Sequence, residues 1–255
     1  MTTAVDDGVW VRRFQPAAGA TTSLVCFPHA GGSASFFAPV ARSLTPEVDV
    51  LALQYPGRQD RRLEPTIESI PELADQLFEV LRGPSGPGGR RMAFFGHSMG
   101  ATVAFEVVRR FEGECGVSPA LLWASARRAP SIPADDRAVH RLDDDGLIAE
   151  LRRLSGTDSA LFADDELLRS LLPAIRGDYK AVEAYDCPAG VSVRCPITAF
   201  AGDTDPLTSL EQVSAWRGHT TGDFAVRVFP GGHFYLTART AEVVRAIRER
   251  LGSDG

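Results

Sequence analysis

The chain has 255 residues and a mass of 27.4 kDa, the upper end of what one domain holds, so a single domain spanning 1–255, with room for an insertion, is expected. A formal net charge of −6 and a pI near 5.4 exclude a general nucleic-acid binder, and any acidic partner would need a local basic patch. Hydrophobic residues at 44% and charged residues at 24% fit a globular protein, and apolar runs such as SLVCF and LLWA are too short to span a bilayer. The start, MTTAVDDGVW, has early acids and no basic segment leading an apolar core, so no secretory signal is read. Cys26, Cys115, Cys187 and Cys195 are widely spaced without a CxxC pair, which suits a reduced, cytoplasmic setting, with Cys26 a core thiol.

In chain order, VWVRRF at 9–14 alternates like an edge strand, and TSLVCF at 22–27 reads as a buried strand. Next comes CFPHAGGSASFF at 26–37, a glycine-bearing loop, then a second buried strand, VDVLAL at 48–53. YPGRQDRR follows, placing Arg58, Arg61 and Arg62 together; with Arg127 and Arg128 these are the candidates for a basic patch. Helical spacing covers SIPELADQLFEVLR at 69–82, PSGPGG at 84–89 is a loop, and MAFFG at 92–96 is a strand leading into a helix over 99–112. ALLWAS at 120–125, PITAFAG at 196–202 and FAVRVF at 224–229 complete the strands, and TAEVVRAIRERL at 240–251 closes the chain as a helix with Val243, Val244, Ile247 and Leu251 on one stripe. Strand and helix alternating in this way predict an α/β fold, a mostly parallel sheet with helices on both faces. Between Ser125 and Pro196 the rhythm breaks. That stretch holds two helical patterns, DDDGLIAELRRL at 143–154 and DDELLRSLLPAIRGDYKAVEAY at 164–185, each opened by aspartates that suit a helix N-terminus. An insertion of this kind, taken as 127–187, is expected to be a helical lid.

The chemistry centres on Gly96-His97-Ser98-Met99-Gly100, a G-x-S-x-G pattern between a strand and a helix. In a nucleophile elbow the serine takes a strained backbone, and small flanking residues let strand and helix approach. Ser98 is the candidate nucleophile. A serine hydroxyl needs a base, and His233 in FPGGHFYL, after the last strand, can return over Ser98. The other histidines fit less well: His97 is inside the elbow and directed away, His29 follows the second strand, His140 lies in the insertion and His219 in a polar loop. The order serine, acid, histidine puts the acid in AFAGDTDPL, at Asp203 or Asp205. Asp203 suits a turn-bracing role, and the residue before Pro206 is held extended, which favours Asp205 without closing the choice. The oxyanion donors are expected to be the backbone N–H groups of Met99 and of Ala30, with Gly31 and Gly32 letting the loop bend toward the substrate.

With these pieces placed, the chain resembles the type II (editing) thioesterases of polyketide and nonribosomal peptide biosynthesis, a branch of the α/β-hydrolases. FPHAGGSASFF, YPGRQDR, FGHSMGA, AGDTDP and GGHFYL follow in that family's order over nearly the whole chain. The resemblance implies that the second aspartate of GDTDP, Asp205, is the triad acid beside Ser98 and His233. Ala30 and Met99 map to the oxyanion donors. It also implies hydrolysis of acyl groups from the phosphopantetheine thiol of acyl or peptidyl carrier proteins, with a helical lid and no metal or other cofactor. A small-molecule carboxylesterase or acyltransferase on the same fold is the alternative. Arg58, Arg61 and Arg62 are expected to contact the acidic carrier or its phosphate.

Overall fold

The computed structural model describes residues 7–133, 137–155 and 165–252. Seven strands form one sheet among them: β1 (Val11–Arg12), β2 (Thr22–Phe27), β3 (Val48–Leu53), β4 (Arg91–His97), β5 (Leu122–Ser125), β6 (Ile197–Gly202) and β7 (Phe224–Phe229), in the order β1-β3-β2-β4-β5-β6-β7. All neighbours run parallel except β1, which pairs antiparallel with β3 at the edge. The expected edge strand at 9–14 is therefore only two residues long, because Asp7–Trp10 forms one helical turn, α1, before it. Central strands are buried on both faces, which explains their unbroken apolar runs.

Side chains alternate between two cores, as the period of two requires. Val25, Phe27 and Phe94 face one side, where they meet α3 (Ile70–Arg82) through Leu73 and Leu77 and α4 (Met99–Glu114) through Val103 and Val107. Leu24, Cys26 and Phe95 face the other, against α2 (Ala38–Leu44) and α9 (Thr240–Gly252). Ser69 caps α3 by accepting the Glu72 N–H at 3.4 Å. Val243, Val244 and Ile247 of the predicted stripe are buried and Leu251 packs on the same core. Besides α1, three short α-helices among the described residues escape a periodicity reading: α2, α7 (Leu210–Ser214) and α8 (Tyr235–Ala238). Of these, α7 had a local signal, since Ser209 and Gln212 form a capping box.

The insertion between β5 and β6 contains α5 (Asp144–Ser155) and α6 (Asp165–Glu183), close to the predicted helical patterns. Asp143 caps α5 by accepting the Gly146 N–H at 2.8 Å. Val139, Leu147, Ile148, Leu168, Leu172 and Ile175 give the insertion a small core of its own. Residues 134–136 and 156–164 of the expected lid, including the first aspartate of DDELL, lie outside the described residues. No helix among the described residues is long and apolar enough to cross a membrane.

Register brings the strand ends that matter to one edge. Phe27 pairs with Gly96, His97 with Ser125, Ser125 with Phe200 and Gly202 with Phe229. The loops carrying Ala30, Ser98, Asp205 and His233 thus leave the sheet side by side. The chain reverses its winding direction between β2 and β4, and a crevice opens at such a point in a parallel sheet.

Candidate active site

The turn from β4 into α4 is tight enough to exclude side chains on both flanks. A Cβ at Gly96 would lie 2.3 Å from the Gly100 carbonyl oxygen, and one at Gly100 would lie 2.0 Å from that of Phe27. Between them Ser98 takes φ 54° and ψ −120°, a conformation that costs a non-glycine residue about 1–3 kcal/mol. The Ser98 N–H donates to the Ser125 carbonyl at 2.8 Å, tying the elbow to β5. This geometry lifts the hydroxyl above the sheet edge at the N-terminus of α4, where the helix dipole favours negative charge.

His233 stands over it. Its Nε2 lies 2.9 Å from Ser98 Oγ and its Nδ1 lies 2.9 Å from Asp205 Oδ2. An ionised carboxylate can only accept, so Nδ1 carries the proton and Nε2 is left to accept from the serine hydroxyl. Both side chains are nearly removed from water, 3% exposed for His233 and 1% for Asp205. Asp205 Oδ1 also accepts the Leu207 N–H at 2.8 Å, which fixes the rotation of the carboxylate. Asp203 instead accepts the Gly231 N–H at 2.9 Å, bracing the loop that presents His233. Both aspartates therefore brace a turn, Asp205 its own and Asp203 that of the neighbouring loop. Asp203 reaches across to the next loop, and the N–H two positions on, that of Asp205, donates instead to the Gly202 carbonyl at 3.4 Å.

Ala30 and Met99 line the cavity beside Ser98 and His233, a space of about 60 Å³, with Tyr179 and Val182 of α6 forming its far wall. Neither the Ala30 nor the Met99 N–H bonds to another described residue. An adjoining cavity of about 250 Å³ shares Arg127, Arg128 and Glu183 with it.

The three arginines do not form the expected surface patch. Arg58 is 2% exposed and Arg61 is 5% exposed, and only Arg62 faces solvent. Arg61 lies over the Trp10 ring at 4.0 Å, donates to the Gln54 carbonyl at 2.8 Å and pairs with Glu64 at 2.6 Å. Arg58 pairs with Asp178 of α6 at 2.5 Å. Each guanidinium found an internal partner, so neither has a free face to offer a carrier.

Sequence reasoning also passed over a buried chain beneath Ser98 and His233. His97 points away from Ser98, as expected, and its Nδ1 lies 2.9 Å from Ser125 Oγ, which is 2.5 Å from the Tyr235 hydroxyl. No local pattern links residues 110 positions apart. The His97 ring is 5.6 Å from that of His233 and 6.0 Å from that of His29. Burial, and then the charge of His233, hold His29 down to about 3 and His97 well below the ordinary imidazole value. His219 is likewise buried rather than solvent-facing, bonded to the Val191 carbonyl and to Ser131.

Two imidazoles kept neutral make stability fall in acid. The unfolded chain binds protons below 6.5 that the folded chain refuses until about 3 for His29, so their contribution is complete above 6.5 and is lost as pH falls through that window. At about 1.4 kcal/mol per pH unit for each group, urea unfolding is expected to report a stability about 2–4 kcal/mol lower at pH 5 than at pH 7. A flat profile over that range would show that the imidazoles are not held neutral.

Comparison with known proteins agrees with this architecture. Residues 22–251 match the thioesterase domain family. Thioesterase PikA5 of Streptomyces venezuelae is 51% identical over 97% of this chain and 87% of its own length. A probable cadicidin biosynthesis thioesterase of Streptomyces griseus is 48% identical over 100% of this chain and 69% of its own. The solved structure of BorB, a type II thioesterase from the borrelidin biosynthetic cluster, superimposes with a TM-score of 0.89 at 51% identity, covering 95% of this chain and 98% of that one. The chain belongs to the thioesterase family of the α/β-hydrolase fold, in its type II branch.

Proposed function

We propose that this protein hydrolyses acyl thioesters borne on the phosphopantetheine arm of acyl or peptidyl carrier proteins, editing polyketide or nonribosomal peptide assembly through a Ser98 acyl-enzyme. The observation that carries the chemistry is the unbroken relay from Ser98 Oγ through His233 to Asp205, with both links at 2.9 Å. Membership of the thioesterase family supports the thioester as the bond cleaved.

His233 Nε2 takes the serine proton as Ser98 Oγ attacks the thioester carbonyl. The oxyanion that forms is met by the N–H groups of Ala30 and Met99, reinforced by the α4 dipole. Asp205 keeps the ring in the productive tautomer and stabilises the imidazolium. Collapse of the tetrahedral intermediate expels the carrier thiol. Thiols leave more readily than amines, so the site needs little leaving-group assistance beyond the imidazolium. Water, deprotonated by His233, then attacks the acyl-enzyme and releases the free acid. Every step uses groups of this chain, without metal or other cofactor. The insertion serves as the lid, a reading supported by Tyr179 and Val182 walling the cavity. Free cysteines suit a cytoplasmic location. Arg62 with its neighbour Leu63, which is 90% exposed, is the part of the arginine segment still available to a carrier.

Intact-mass detection of deacylation on acyl-loaded carrier proteins, set beside acyl-N-acetylcysteamine and p-nitrophenyl esters, tests the reading. Carrier deacylation is expected, with Arg62→Glu raising KM for carrier substrates but not for the short thioester. Ester cleavage with no release from carriers would make the protein a small-molecule esterase instead.

A further inference from the structure

Behind the loop that carries Ala30, three segments distant in sequence meet at one carboxylate. Asp178 of α6 accepts the Gly31 N–H at 2.7 Å and the Arg58 Nη2 at 2.5 Å, both on Oδ2. The two charged side chains are 2% and 3% exposed, so neither has water as a substitute partner. Burial pushes the Asp178 carboxyl upward, and Arg58 and the Gly31 N–H oppose that shift. The same helix presses on the loop directly, since a Cβ at Gly31 would lie 2.4 Å from Ile175 Cγ1.

The loop itself is a four-residue turn, closed by the Gly32 N–H donating to the His29 carbonyl at 2.9 Å, with Gly31 at φ 73° in its third position. That positive φ separates this turn from the commoner type I form, which differs mainly by a flip of the central peptide. Here the central peptide is Ala30–Gly31. A flip would withdraw the Gly31 N–H from Asp178 and point the Ala30 carbonyl at a buried carboxylate, which charge repulsion forbids. Gln54 adds a second tie, accepting the Ala34 N–H at 2.9 Å and donating to the Arg58 carbonyl at 3.2 Å.

We propose that Asp178 and Arg58 are positioning residues for the oxyanion site: Asp178 pins Gly31 to α6, which fixes how near Ser98 the loop carries the N–H of the adjoining Ala30, and Arg58 keeps that carboxylate ionised and aimed. The proposal rests on Ala30 acting as an oxyanion donor. It also makes α6 the anchored part of the insertion, because swinging it away would strand two buried charges.

Two double variants separate positioning from mere support. A buried ion pair can be exchanged for uncharged residues of similar volume with little loss of stability, so Arg58→Met with Asp178→Leu is expected to melt near the wild type. It removes the acceptor for the Gly31 N–H, however. Displacement of the donor is expected to lower kcat on an acyl-N-acetylcysteamine thioester about 10- to 100-fold and leave KM within about threefold. Affinity for a trifluoromethyl-ketone analogue, whose adduct with Ser98 carries the oxyanion, should weaken by a similar factor. Arg58→Met with Asp178→Asn keeps an acceptor oxygen and should recover most of both losses.

Equal kcat values in the two double variants, or unchanged ketone affinity in the Leu variant, would overturn the proposal. If the Leu variant melts below assay temperature, Arg58→Met with Asp178→Ala replaces it in the same comparison, and ketone binding as weak in the Asn double variant as in the Ala double variant refutes it equally. Failure of the serine mechanism reads differently, as turnover surviving Ser98→Ala.

Discussion

Replacing Ser98 by Ala is expected to lower kcat by about 10³-fold or more and to abolish any covalent acyl-enzyme, because the route through Oγ disappears and no other described nucleophile touches His233 Nε2. The substitution retains a Cβ at φ 54°, so the strained elbow, its bond to Ser125 and the Ala30 and Met99 N–H groups are preserved. KM should change little for the same reason. Single-turnover mass spectrometry on an acyl thioester reads both consequences, with a transient acylated species in the wild type and none in the variant. Near wild-type turnover without Oγ would remove Ser98 from the mechanism, whatever the distances.

Asp205→Asn is expected to be nearly as damaging, lowering kcat about 10³- to 10⁴-fold, for a reason visible in the hydrogen bonds. The Leu207 N–H must be met by the amide oxygen of the new side chain, since an N–H can only donate. The amide NH₂ then faces His233 Nδ1 and turns that nitrogen into an acceptor. The ring proton moves to Nε2, which can no longer take the proton of Ser98. Asp203→Asn should behave differently. Its oxygen can still accept the Gly231 N–H, so the His233 loop keeps its brace and the loss of kcat should stay within about tenfold. Steady-state kinetics of the two variants at neutral pH decide the matter. A larger loss at Asp203 would make it the functional acid and leave Asp205 with the turn.

Most of the architecture was legible because it is written locally. TSLVCF, VDVLAL and ITAFAG are unbroken apolar runs because their strands are covered on both faces, and the observed ends fall within a residue or two of the expected ones. The elbow announced itself through Gly96 and Gly100, whose missing side chains are needed at 2.3 and 2.0 Å from neighbouring backbone. Short helices such as α2 and α8 left no periodic trace, having too few turns to repeat a stripe.

What the sequence determined by itself was the order of strands along the chain, the turn at Ser98 and the set of residues from which a catalytic relay could be drawn. Each of these depends on neighbours within a few positions. Residue chemistry left the two aspartates of GDTDP open, with only the family resemblance favouring Asp205; the tertiary structure decided where each points, and that Arg58 and Arg61 turn inward. Two carboxylates two positions apart are chemically alike, and only the loops facing them, 28 residues away, place one against His233 Nδ1 and the other against Gly231. An arginine segment reads as solvated surface until a partner is found, and Asp178, the partner of Arg58, lies 120 residues further along. Burial of a charge is a property of the pair, and chain folding, not spacing, brings such a pair together.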